Sequence, residues 1–193
     1  MLIAIASIAA GYLLGSVPAA YLVARYKKGI DIREVDIGNM GAGSTIRQVG
    51  IGWGILVAIV DVGKGALAVW LAMELGASYP VVLATGLGAL LGHCFPFAIG
   101  FRGGQGVATI IGVFLVLAFQ PMLVMLGIMA IALAVTRHLY SMILVIAPFL
   151  PVVLWLCGTE PLLIAYSLII IVFIIFRTRH RLPDFRLLAK IKH

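Results

Sequence analysis

Charge is scarce in this chain. Only 11% of its 193 residues are charged and only 7 are Asp or Glu, against about 25% charged usage in a soluble domain. Together with 63% hydrophobic residues and a mean hydropathy of +1.18, this excludes a soluble single-domain enzyme. A membrane helix takes about 20 residues, so about seven spans fit and a separate soluble domain does not. Cysteine is almost missing. Cys94 and Cys157 fall near opposite membrane faces in the topology below, far beyond the ~7 Å Cα separation a disulfide allows, so free thiols are expected. The 4 histidines stand in no metal-ligand spacing with one another, with Cys or with an acid, which leaves a metal site without support. Internal repeats and low-complexity linkers are absent as well.

What the chain does contain is a series of uncharged tracts. Residues 1–24, 75–101, 138–159 and 161–176 carry no charge, and each reads as a membrane helix. Residues 103–136 are uncharged too, but as one helix they would run about 51 Å against a hydrocarbon core of roughly 30 Å. Gln120-Pro121 is the expected division. Residues 51–73, apolar apart from Asp61 and Lys64, supply one more span. The expected fold is an all-α integral membrane protein forming a single domain, residues 1–193, with seven transmembrane helices at about 2–24, 51–73, 80–99, 106–120, 122–136, 139–157 and 161–176. Residues 177–193 would form a basic cytoplasmic tail. The fourth and fifth helices are short, and a tilted or partly re-entrant course stays open for them.

The 14 Lys and Arg give a formal net charge of +7, and cytoplasmic loops collect such residues. With the N-terminus outside, Arg25, Lys27, Lys28, Arg33, Arg47, Arg102, Arg137 and the cations from Arg177 to Lys192 all fall on one face. Lys64, inside a span, is the exception. The other face receives only Glu74 and Glu160. An N-out, C-in orientation follows. No basic residue precedes the first helix and Arg25-Tyr26-Lys27-Lys28 follows it, so it reads as an uncleaved anchor rather than a signal peptide.

Some signals belong to packing. Ser7, Gly11 and Gly15 recur every four residues, as do Gly88 and Gly92, and small residues at that spacing let helices approach closely. The stretch 161–176 contains no Lys for a retinal Schiff base. His93, His138 and His180 lie near the basic face and read first as interfacial hydrogen-bonders. Asp61 and Lys64, three residues apart, can pair with each other, and a functional and a helix-orienting role are equally open. The tail can grip anionic membrane lipid at about 1 kcal/mol per residue near the surface.

Two loops on the basic face carry the chemistry. The first reads Ile37-Gly38-Asn39-Met40-Gly41-Ala42-Gly43-Ser44-Thr45-Ile46-Arg47. Its glycines allow tight turns that present successive N–H groups, and Ser44, Thr45 and Arg47 add donors, which is what an anion-binding nest requires. It is no Walker loop, since no Lys follows the last Gly and no strand precedes the first. Taken singly, a plain connecting loop explains it as well. The second, Gly100-Phe101-Arg102-Gly103-Gly104-Gln105-Gly106, runs into a helix whose N-terminus favours an anion. The pair suggests an enzyme or carrier that handles phosphorylated compounds at the membrane surface.

These residues together resemble the bacterial membrane acyl-phosphate:glycerol-3-phosphate acyltransferases (PlsY). The matching pieces run in order along nearly the whole chain: Gly15-Ser16 and Arg25; Asp31-Ile32-Arg33; Gly38-Asn39-Met40-Gly41-Ala42 with Arg47; Asp61 and Lys64; Gly92-His93 with Phe95-Pro96; Phe101-Arg102-Gly103-Gly104 with Gly106-Val107-Ala108-Thr109; and Arg179-His180-Arg181 with Arg186-Leu187-Leu188. The resemblance implies transfer of an acyl chain from acyl-phosphate to the 1-hydroxyl of glycerol 3-phosphate, giving lysophosphatidate and phosphate for phospholipid synthesis. It implies no cofactor and no nucleic-acid partner, and a multi-pass protein of the bacterial inner (cytoplasmic) membrane with its active site on the cytoplasmic side. By the same resemblance, His180, Ser141 and Arg47 would serve catalysis. Gly38, Asn39, Gly41, Gly43, Ser44 and Arg33 would bind substrate on the first loop side, and Arg102, Gly103, Gly104 and Gly106 on the second. Ser16 and Arg25, which match the first family motif, would join the substrate-binding residues with a role that is partly structural.

The chain departs from the family pattern at five places. Ile37 stands where Ser is usual, Gly43-Ser44 where Thr-Asn is usual, Gln105 where a second Lys is usual, and Pro183 where Asn is expected. Ile37 cannot donate a hydrogen bond and Gln105 cannot balance a phosphate charge. Two other readings therefore stand beside the acyltransferase: a transporter or flippase of an anionic or phosphorylated lipid solute, with Asp61 and Lys64 on its pathway, and a non-catalytic relative.

Overall fold

The computed structural model of the chain describes residues 1–35, 40–136 and 147–178, apart from the side chains of residues 135 and 136. All regular structure among them is helical: α1 (Leu2–Gly15), α2 (Ala19–Lys28), α3 (Ala42–Gln48), α4 (Ile51–Glu74), α5 (Tyr79–Cys94), a 3-10 turn (Phe97–Ile99), α6 (Val107–Leu117), α7 (Phe119–Thr136), α8 (Phe149–Leu156) and α9 (Pro161–Thr178). Among the described residues, four stretches are long and apolar enough to cross a membrane: Leu2–Lys28, Ile51–Glu74, Tyr79–Ile99 and Pro161–Thr178. At 11 residues, α6 is about 17 Å long against a core of roughly 30 Å, too short to cross by itself. The helices form two compact units, residues 1–117 and 118–193.

Glycines hold the first unit together. Gly11 and Gly15 lie against the backbone of Thr85 and Ala89, while Gly88 and Gly92 lie against that of Ile8, Tyr12 and Ser16. A methyl group at any of these positions would collide with main chain, so α1 and α5 touch along the small-residue stripes that the sequence shows. Lipid tails are as apolar as Leu, and helices in a membrane gain chiefly from such close packing. The same device joins α4 to α6, where Gly65 meets Thr109 and Gly112 meets Val62 and Ala66. Gly54 of α4 accommodates Ile46 of α3. Large apolar side chains such as Ile5, Leu22, Ile59 and Trp70 stay exposed, as suits a lipid-facing surface.

In the second unit, α8 packs against α7 and α9. Leu154 closes α8 by accepting the Thr159 N–H at 3.1 Å, with Gly158 left-handed at φ 69°, and Pro161 then opens α9. That order, Gly past one helix end and Pro at the start of the next, is what capping requires. Cys94 in the first unit is buried and Cys157 in the second is exposed, and neither is in a disulfide among the described residues.

Several element boundaries differ from expectation. The first apolar tract is two helices, because Pro18 adopts φ −90°, ψ 67°, an inverse γ-turn in which Ala19 N–H donates to Val17 O at 3.1 Å. The tract 103–136 divides at Ala118 rather than at Gln120-Pro121. Pro121 sits in the first turn of α7, where its missing N–H has no partner to lose. The third helix ends at Cys94 and not near 99, since the residue before Pro96 is pushed out of helical geometry. The loop between Arg25 and Gly50 contains α3, a helix the sequence reading did not anticipate. Residues 139–146 of the expected 139–157 helix and nearly all of the 177–193 tail lie outside the described residues; the described remainder of that helix holds α8.

Candidate active site

The first basic loop is braced from within. Arg25 donates to Gly29 O at 2.9 Å and so satisfies a carbonyl past the end of α2, where Gly29 is left-handed at φ 68°. Arg33 wraps Asp31, with Nε 2.9 and 3.1 Å from the carboxylate oxygens. It also donates to Ile99 O at 2.6 Å and lies 5.0 Å over the Tyr21 ring. Hydrogen bonds from Arg33 hold the Asp31 carboxyl below its ordinary pKa, and Asp31 in turn raises that of the guanidinium. Arg33 thereby ties this loop to the 3-10 turn that leads into the second glycine loop. On the same unit, Lys27 Nζ sits 4.3 Å over the Trp53 ring and links α2 to α4.

Residues 36–39 lie outside the described residues, so the placements expected for Ile37, Gly38 and Asn39 carry no geometry. Beyond them Met40 is buried, and Gly41, extended at φ −166° and ψ 179°, precedes α3. Gly43 and Ser44 fall in the first turn of that helix. Ser44 is fully buried, and its hydroxyl accepts from Arg47 Nη2 at 3.2 Å. Arg47 itself is exposed. Part of the expected open nest is therefore a helix turn, with the Arg47 guanidinium steered by the Ser44 hydroxyl.

The second loop is strapped to the end of α5. Gly103 N–H donates to Cys94 O at 3.0 Å and Gly104 N–H to His93 O at 3.1 Å. These two N–H groups are spent on helix carbonyls and are not presented to an anion. Gly104 has room for no side chain, because a Cβ there would strike both His93 Nε2 and Met40 O. That contact brings the end of the first glycine loop onto the second. Phe101 holds φ 59° without being glycine, a conformation an L-residue adopts at a cost. Gly106, at φ 86°, turns the chain into α6. Arg102 is exposed while Gln105 is buried, and Gln105 Nε2 has no hydrogen-bond partner among the described residues.

Beneath the loops lies a cluster of buried charge. Lys64 Nζ is 2.8 Å from Asp61 Oδ1, the pairing the sequence spacing allows, and it also donates to Val17 O at 3.1 Å. His93 Nδ1 of α5 lies 3.4 Å from the same Asp61 oxygen. Exposure is 3% for Asp61 and 7% each for Lys64 and His93. A small cavity lined in part by Val17, Met40, Asp61, Lys64, His93 and Pro96 has room for about one water molecule. Each charge thus has partners, as burial demands. Among the described residues no group of three His, Cys, Asp or Glu could hold a metal ion.

Residues 5–190 match the family model described as glycerol-3-phosphate acyltransferase. The chain belongs to that family. A glycerol-3-phosphate acyltransferase of Synechococcus sp. (strain CC9902) is 40% identical over 182 residues, covering 94% of this chain and 90% of the relative. Glycerol-3-phosphate acyltransferase 4 of Dehalococcoides mccartyi is 42% identical over 157 residues, 81% of this chain and 85% of the relative. Among solved structures, the glycerol 3-phosphate form of PlsY (YgiH), an integral membrane glycerol 3-phosphate acyltransferase, superposes with TM-score 0.88 at 29% identity, covering 98% of this chain and 94% of that one. The lysophosphatidic acid form of PlsY gives TM-score 0.85 at 28% identity over the same shares. The protein is thus an all-helical integral membrane protein of the PlsY fold.

Within the first unit of this acyltransferase, Ser16, Arg25 and Arg33 are held by internal bonds, Ser16 through its hydroxyl to Tyr12 O at 2.8 Å. Gly41, Gly43, Ser44 and Arg47 gather at α3, and Arg102, Gly103, Gly104 and Gly106 on the loop before α6. Ser141 and His180 lie outside the described residues. What sequence reasoning missed is His93 beside Asp61. Nothing in the spacing of residues 61 and 93 links α4 to α5; only the direction of two side chains across a helix pair does.

Proposed function

We infer that the chain is a membrane acyltransferase that places an acyl group on glycerol 3-phosphate. The observation that carries this is the match, over nearly the whole chain, to PlsY in its glycerol 3-phosphate and lysophosphatidic acid forms, supported by two glycine loops that meet at Met40 and Gly104. The donor is acyl-phosphate. The 1-hydroxyl oxygen of glycerol 3-phosphate attacks the acyl carbon, the bond from that carbon to the phosphate oxygen breaks, and the departing phosphate takes the hydroxyl proton. Lysophosphatidate and inorganic phosphate result. Holding two reactants in line and stabilising negative charge can supply much of such a rate without a protein nucleophile.

In this reading Arg47 and the Gly38–Ser44 segment face the glycerol 3-phosphate, while Arg102 with Gly103, Gly104 and Gly106 lies along acyl-phosphate. Arg33, Arg25 and Ser16 support the site through the bonds described above. Ser141 and His180 take catalytic roles on the strength of the family resemblance, His180 through a polar contact to glycerol 3-phosphate. The membrane arrangement is seven spans in one domain, N-terminus outside, in the bacterial cytoplasmic membrane, with the basic face and site toward the cytoplasm and the basic tail gripping anionic lipid. The purified protein in detergent or lipid is expected to release phosphate from acyl-phosphate only when glycerol 3-phosphate is present. Release that ignores the acceptor, or no release at all, would refute the reading.

A further inference from the structure

We infer that the buried Asp61, Lys64 and His93 cluster is the positioning element that holds the two glycine loops in register, with His93 as the post on which the loops meet. The kinetic part of this inference rests on the proposed function; the structural part does not.

The argument starts from cost. A buried ion pair can often be replaced by apolar residues of similar volume at no loss of stability, so packing alone gives α4 no reason to keep Asp61 and Lys64 at 3% and 7% exposure. What the pair does is make connections that apolar groups cannot. Lys64 fixes Val17 O at the break between α1 and α2, and Asp61 faces His93 Nδ1 at 3.4 Å. With one ring edge lying against Asp61, the other edge is aimed at Gly104, where only the absence of a Cβ lets the loop approach His93 Nε2 and Met40 O together. The His93 carbonyl receives Gly104 N–H at 3.1 Å and so straps the same residue from its backbone side. One side chain thus sets the height of the second loop and, through Met40, the position of the first. His93 is a positioning residue, acting through Gly104 on both its side-chain and its backbone side.

The test uses the full chain in detergent, with hydrogen exchange read by mass spectrometry alongside kinetics. In His93→Ala, exchange in the segment 100–106 is expected to rise at least tenfold while that in α1 stays at the wild-type value, and kcat/KM is expected to fall about 10²-fold, mostly through KM for glycerol 3-phosphate. His93→Gln, whose amide can reach toward Gly104, is expected to recover most of both losses. Asp61→Asn keeps the shape but weakens the hold on the ring, so a smaller rise confined to the same segment is expected; it decides the matter should His93→Ala fail to fold. Unchanged exchange in 100–106, a rise shared equally by α1, or His93→Gln no better than His93→Ala would overturn the inference. If the wild-type chain shows no acceptor-dependent phosphate release, the proposed function fails, while the exchange pattern still decides the positioning role.

Discussion

The two glycine loops look alike in composition and are used in opposite ways. In the first, an extended Gly41 precedes α3, and the loop's charge, Arg47, stays exposed with its guanidinium steered by Ser44. In the second, the N–H groups of Gly103 and Gly104 are tied to α5, and the charge that remains exposed is Arg102. Gly104 is glycine because two other parts of the molecule occupy the space of its side chain. A glycine-rich pattern therefore does not by itself distinguish backbone offered to a ligand from backbone packed against protein. Neighbouring carbonyls decide, since each N–H has one bond to give.

The strongest way to break this comparison is Gly104→Ala. A methyl group between His93 Nε2 and Met40 O has nowhere to go, and a loss of roughly 10²-fold or more in kcat/KM is expected in the phosphate-release assay. Gly52→Ala, at a position with open space around it, serves as the neutral control; equal activity in the two variants would end the packing account. Next comes Arg47→Ala on the other loop. Loss of a charged hydrogen bond costs about 1.5–3 kcal/mol, so KM for glycerol 3-phosphate is expected to rise tenfold or more, with kcat less affected. An unaltered acceptor dependence would remove Arg47 from the site.

A smaller effect sharpens the second loop. Gln105 Nε2 is buried with no partner among the described residues, and Gln105→Met relieves that group. Thermal melting in detergent should show a gain of about 1 kcal/mol, while phosphate release falls if the amide faces donor. No gain in stability would mean the amide is satisfied. The smallest effect concerns the brace between the loops. The folded-state pKa of Asp31 is depressed by Arg33, so its stabilisation is complete above the ordinary carboxylate pKa of about 3.9 and is lost as pH falls through the lower folded value. Melting temperature should be insensitive to this pair at neutral pH and drop in that acid range. Asp31→Asn should flatten that drop, and a wild-type slope in the variant would assign it elsewhere.

Much of the fold was legible because membrane helices announce themselves by long uncharged runs, and because Gly11, Gly15, Gly88 and Gly92 mark a helix contact by spacing alone. The break at Ala118 was misplaced by a few residues since a proline signals a helix start from inside its first turn. The helix α3 was hidden because Gly41 and Gly43 read as loop residues, while a short helix resting on Gly54 is stabilised by tertiary contact rather than by propensity. In the site, the arginines were legible as charges but not as partners. Arg33 reads as a free cation in sequence and proves to be bonded to Asp31 and Ile99.

The sequence by itself determined that this protein lives in a membrane, where its cations collect and which family motifs it carries, because hydropathy, charge order and motif order are properties of the linear chain. Only the tertiary structure decided which glycines are packed against backbone, which N–H groups are already used, and that His93 meets Asp61. Those depend on distances between residues far apart in the chain, and hydrogen bonds and steric exclusion act over a few ångströms.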